Sequence, residues 1–213
     1  AESGDQQFII TVKPLPTVNA ITVSPICSGQ TTANINLTSN PINATFTWSS
    51  TATNVTGNTV SGNTTNISVQ TLNATAPTAG TVTYSITPTL NGCPGDAYSY
   101  TITVNPIPVG DAIPNQTICS GESTSEVQLT SASAGATFTW SATTSEVTGA
   151  TTSGNSSIIN AQQLTSVGSQ QGTVIYSITP TLTGCNGNII NYTVYVIPAP
   201  TAPTIPLKTV CIN

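Results

Sequence analysis

Histidine, methionine and arginine are absent from this chain of 213 residues, which carries two lysines and seven acids. Without histidine, no Ser-His-Asp or Cys-His relay can be built from its side chains. Charged residues make up 4%, far below the ordinary ~25%. A net charge of −5 without arginine excludes the basic surfaces that nucleic acid and anionic membranes require. No apolar run is longer than a strand, so membrane insertion is not expected. The missing histidines and the lack of any Cys-x-x-Cys spacing exclude a zinc site. No cofactor is expected.

Thr, Ser and Asn take the place of charge, and they do so periodically. Gly80-Thr-Val-Thr-Tyr-Ser-Ile-Thr-Pro-Thr-Leu-Asn-Gly-Cys93 recurs almost letter for letter as residues 172–185, at an offset of 92. Residues 17–108 align without a gap on 109–200, with 45 of 92 positions identical. The offset superposes Phe46 on Phe138, Trp48 on Trp140 and Tyr84 on Tyr176. It also superposes Cys27 on Cys119 and Cys93 on Cys185. A period this long marks a tandem array of small domains rather than a solenoid. The expected division is 1–16, the last strand of a preceding repeat (Phe8 to Val12); 17–108 and 109–200, two whole repeats; and 201–213, the start of another. Flanking repeats of the same chain are therefore expected neighbours.

Within a repeat the hydrophobic period is two, the mark of half-buried strands. Ala33 to Leu37, Ala44 to Ser49, Ile67 to Leu72, the stretch opening at Gly80 and Tyr98 to Val104 read as strands, with an edge strand over 19–26. Val55-Thr-Gly57 and Ser61-Gly-Asn63 read as turns. About seven strands with closely spaced turns and no helical period predict an antiparallel two-sheet sandwich. Alternate prolines around 104–114 hold the connection extended. The fold class is all-β: tandem immunoglobulin-like sandwiches joined end to end by proline-rich linkers.

Cys27 with Cys93, and Cys119 with Cys185, keep a spacing of 66 in both copies. This reads as one disulfide per repeat, with buried free thiols as the alternative. Such a loop closure would add roughly 4 kcal/mol. Cys211 then pairs with a cysteine further along the next repeat. Phe46, Trp48 and Tyr84, with Phe138, Trp140 and Tyr176, share inward faces and read as core. A sugar-stacking role for the tryptophans is the alternative. Every acid in one repeat faces an amide in the other: Glu122 and Gln30, Glu126 and Asn34, Glu146 and Asn54, Asp111 and Asn19, Asp96 and Asn188. An amide keeps a carboxylate's hydrogen bonds but not its acid–base chemistry. No catalytic residue is assigned, and isolated acids do not make a calcium cage.

Cys-Ser-Gly, Phe-Thr-Trp-Ser, Val-Thr-Tyr-Ser-Ile-Thr-Pro, Gly-Cys and Tyr-Thr-Ile-Thr-Val-Asn-Pro-Ile-Pro together resemble the PKD-like, immunoglobulin-like repeats of giant Bacteroidota surface proteins. The gliding-motility adhesins of the SprB type are nearest. The resemblance spans residues 6–213. It implies export by the type IX secretion system, display on the outer cell surface, and partners in the secretion and gliding machinery. It also implies contact with extracellular surfaces or polysaccharides. Standard PKD domains carry Trp-Asp-Phe-Gly-Asp-Gly where this chain has Phe46-Thr-Trp48-Ser-Ser. Two functions compete: non-catalytic stalk or adhesive repeats of a secreted filament, or spacer and glycan-binding repeats of a large polysaccharide-degrading enzyme.

Overall fold

The structure, a computed structural model, describes residues 9–200. The chain divides between Ile107 and Pro108 into two units with the same architecture. Among the described residues no helix is long and apolar enough to cross a membrane.

In the first domain four strands make the principal sheet: β1 (Ile26–Cys27), β2 (Thr45–Thr53), β3 (Gly80–Leu90) and β4 (Tyr98–Asn105). Strand β3 lies between β4 and β2, and Ser61–Gly62 extends the sheet beyond β2. The alternation of β3 decides its central place. Val82, Tyr84 and Ile86 are fully buried, while Thr81, Thr83 and Ser85 face outward as half-exposed hydroxyls. Its register sets Tyr84 opposite Tyr100 and Ile86 opposite Trp48. The same pleat thus drives both neighbours' aromatics inward. Strand β1 runs parallel to β4, with Ile26 against Val104 and Cys27 against Asn105.

The facing layer is thinner. It consists of two-residue ladders, Thr17–Val18 with Ser39–Asn40, Ile35–Asn36 with Asn66–Ile67, and Val55–Thr56 with Asn73–Ala74. These ladders and the residues flanking them deliver Leu37, Val55, Ile67 and Leu72 to the core around Trp48 and Tyr84. The second domain repeats the plan with β5 (Gln116–Cys119), β6 (Thr137–Ser145), β7 (Gly172–Leu182) and β8 (Ile190–Ile197). Its core gathers Leu129, Val147, Ile159 and Leu164 around Trp140 and Tyr176. The all-β tandem sandwich expected from the repeat is the fold observed.

Several local expectations differ. Of the strands expected over Ala33 to Leu37 and Ile67 to Leu72, only Ile35–Asn36 and Ile67 are in strands. Ser61–Gly62 is a strand paired with Trp48 and Ser49, not a turn. Val55–Thr56 likewise pairs with Asn73–Ala74. Over 19–26 only Ile26 joins a strand. Residues 9–16 form no strand, and Ile9, Ile10 and Val12 are exposed. A strand exists only where a second edge takes its backbone hydrogen bonds, and none is supplied there. Phe8 and Cys211 lie outside the described residues.

The β3 hairpin turns through Asn91-Gly92, at φ of 51° and 80°. The β7 hairpin turns through Thr183-Gly184, at 49° and 83°. Both left-handed positions suit Asn-Gly; threonine's branched Cβ does not. Thr183→Asn is expected to stabilise the second domain by about 1 kcal/mol. Urea unfolding of that domain would show it, and an unchanged midpoint would mean the turn holds no strain.

Candidate functional site

The conspicuous shared motif is Cys-Ser-Gly, and its geometry accounts for the serine and the glycine. The Ser28 N–H donates to the Asn105 carbonyl and the Gly29 N–H to the Leu72 carbonyl, both at 2.8 Å. The Ser28 hydroxyl accepts from the Ala74 N–H at 3.0 Å. Gly29 holds φ at 83°, a conformation glycine adopts freely. The Cys27 N–H donates to Gln30 Oε1 at 3.0 Å. In the second domain Ser120 accepts from Ser166 at 3.0 Å, and the Cys119 N–H donates to Glu122 Oε2 at 2.9 Å. The motif ties the β1 or β5 end to the opposite layer.

That last pair shows what the acids do. Glu122 and Gln30 take the same hydrogen bond from the same backbone position. Asp111 accepts from the Thr130 hydroxyl where Asn19 donates to that of Thr38. Glu146 occupies the left-handed conformation held by its counterpart Asn54, at φ of 56° and 55°. These are local caps, interchangeable between carboxylate and amide. Among the described residues no three His, Cys, Asp or Glu side chains gather as a metal cage.

The aromatic residues lie inside. Trp48 is 7% exposed and Trp140 8%; Phe46 and Phe138 are each 4%. Tyr84 stacks on Tyr100 at 5.0 Å between centroids, and Trp48 tilts against Tyr84 at 6.0 Å. Tyr176 stacks on Tyr192 at 5.4 Å, with Trp140 edge-on at 5.7 Å. A sugar cannot stack on faces already covered this way. The Tyr84 hydroxyl donates to Gln70 Oε1 at 2.9 Å. Burial raises the Tyr84, Tyr100 and Tyr176 phenols above their usual value and pushes Tyr192 up to about 12. None can exchange a proton near neutral pH.

One cleft, of about 430 Å³, opens beside Ile21, Val23, Ile26, Ala33 and Ile35. Its counterpart is smaller, about 300 Å³, and Gln116, Glu126 and Gln128 share its lining with Ile113 and Val127. Val23 is replaced there by Asn115, whose Oδ1 accepts from the Thr193 N–H on β8 at 3.0 Å. A ligand site common to both repeats would not change in this way.

The cysteines depart furthest from expectation. Cys27 and Cys185 are each disulfide-bonded, whereas Cys93 and Cys119 are free thiols. Neither expected pair, Cys27 with Cys93 or Cys119 with Cys185, is formed. The register gives the reason. Cys27 opposes Asn105, one residue past the Val104–Gly80 pair, while Cys93 opposes Leu90. All eleven residues of β3 lie between, a span of about 33 Å, and a disulfide tolerates Cα atoms at most ~7 Å apart. In the second domain Cys119 opposes Ile197 and Cys185 opposes Leu182, at opposite ends of β7. The spacing of 66 records distance along the chain, not the end of the sheet on which each cysteine falls.

A family model described as a PKD-like domain matches residues 24–108 and again 116–200. No curated protein matches the chain. Among solved structures, the D00–D0 domain of intimin is similar at 15% identity and a TM-score of 0.41, covering 84% of this chain and 99% of that one. Protocadherin gamma B2 extracellular cadherin domains 3–6 are similar at 14% and 0.30, covering 87% and 50%. Sidekick-1 immunoglobulin domains 1–5 are similar at 9% and 0.26, covering 87% and 40%.

Proposed function

The chain belongs to the PKD-like domain family, and on that premise we propose that it is a run of non-catalytic repeats in a long exported filament. The filament is displayed on the outer cell surface and mediates adhesion and gliding motility. One observation carries this reading. Between the copies every core aromatic of the first domain's Trp–Tyr cluster and every Cys-Ser-Gly turn is kept, while no carboxylate is. What is preserved is a stable, repeatable domain; what is lost is any fixed acid–base chemistry. The uncharged Thr- and Asn-rich exterior suits contact with surfaces or polysaccharides without long-range charge steering. The sequence motifs add the expectation of a Bacteroidota source, type IX export and the gliding machinery as partner.

Fluorescent Fab raised against residues 17–200, applied to intact producing cells and tracked, tests the proposal. Label that travels along the cell surface is expected. Static label would leave an anchored spacer, as in a stalked polysaccharide-degrading enzyme. Label reached only after permeabilisation would end the surface assignment.

A further inference from the structure

Each domain carries a cysteine at either end of its principal sheet. Cys27 and Cys119 stand at the exit end, where β4 and β8 leave the sheet. Cys93 and Cys185 stand at the entry end, in the hairpin after β3 and β7. At that end the incoming backbone presses on the hairpin. A Cβ on Gly95 would meet the Pro16 carbonyl at 1.8 Å, and one on Gly187 the Pro108 carbonyl at 2.0 Å.

Strand register is the same at equivalent ends, but the chemistry is not. Cys185 is disulfide-bonded and its counterpart Cys93 is a thiol; Cys27 is bonded and its counterpart Cys119 is a thiol. Both positions are therefore competent to bond. The span of the sheet keeps either thiol from a partner in its own domain. Cys119 is exposed and Cys93 half-buried, so both are within reach from outside.

We propose that Cys93 and Cys119 are half-sites for disulfides to further copies of this repeat in the same polypeptide. Cys93 takes the exit-end cysteine of a copy before it, and Cys119 takes the entry-end cysteine of a copy after it. Two thiols lose two protons and two electrons and gain one S–S bond. A disulfide oxidant such as glutathione disulfide accepts them and leaves as two thiols. A filament so built is stapled from domain to domain rather than within each domain. The inference rests on the repeat period and the strand register, and holds whether or not the filament is an adhesin.

The test duplicates residues 17–200 in frame within the full chain, in a Cys211→Ser background. This sets Cys119 of the first copy one joint from Cys93 of the second. After equilibration in a glutathione redox buffer, thiols are counted in denaturant without reductant. The parent chain carries two at these positions, Cys93 and Cys119, so the doubled chain carries twice that number if none pairs. The expected count in the doubled chain falls back to the parent's. The chain should run as a monomer on a non-reducing gel and release a peptide linking Cys119 to Cys93. An undiminished count would overturn the proposal, and so would thiol loss accompanied by a ladder of linked chains.

Discussion

Trp140→Ala is expected to destabilise the second domain by about 3–5 kcal/mol. The indole packs edge-on against Tyr176, opposite Ile178 on β7, and is 8% exposed. Truncation removes its apolar burial and leaves a void bounded by strands that hydrogen bonding holds in place. A small domain's whole stability is of order 5–15 kcal/mol, so the loss is a large fraction of it. The chain has two tryptophans, one in each core, which makes the measurement clean. In the variant only Trp48 fluoresces, and it reports the first domain alone. Far-ultraviolet circular dichroism in urea should split into two steps, the earlier lowered by roughly 2 M. The fluorescence midpoint should coincide with the later step. Coincident loss of both signals would mean that the two cores do not unfold separately.

Gly154→Ala should be nearly as damaging, although it adds a single methyl. That carbon would sit 2.3 Å from Trp140 Cζ2 and 2.5 Å from Cε2. The ring is held by Tyr176 on one side and strand pairing on the other, so it cannot yield without disturbing the core. The expected cost is about 2–3 kcal/mol. The mechanism makes a sharper claim through coupling. In a Trp140→Ala background the added methyl meets empty space, and its cost should fall below about 1 kcal/mol. Additive losses would show that Gly154 matters for backbone reasons unrelated to the ring. Gly62 and Trp48 make the same contact in the first domain, at 2.4 Å.

This contact shows where sequence reasoning reaches and where it stops. Trp48, Phe46 and Tyr84 were legible as core because period-two alternation sets them on one face, and the second copy repeats it. Ser61-Gly62 was not legible as a strand. Glycine and serine signal turns by propensity, while this glycine is chosen by the ring beneath it, which lies fourteen residues away in sequence. The pairing of cysteines was hidden for a related reason. A spacing shared by both copies cannot say which end of an eleven-residue strand each thiol reaches. The facing layer was legible only in part: alternation marked Ala33 to Leu37 and Ile67 to Leu72 as strands, but its ladders are two residues long, too short for a hydrophobic period to bound. The acids were readable because the second copy acts as an internal control: Glu122 beside Gln30 separates a need for hydrogen bonding from a need for charge.

The parallel pairing of β1 with β4, and of β5 with β8, has a mechanical meaning. The chain enters each sandwich at its hairpin end and leaves at the other, so tension applied through the backbone pulls the two terminal strands in opposite directions along their length. Their hydrogen bonds are then sheared together rather than unzipped one at a time, and the rupture force scales with how many act in concert. The first domain has two registered pairs in this clamp and the second has four. Under a rising pull the first domain yields before the second, and a filament of such repeats would give way first at its shortest clamps.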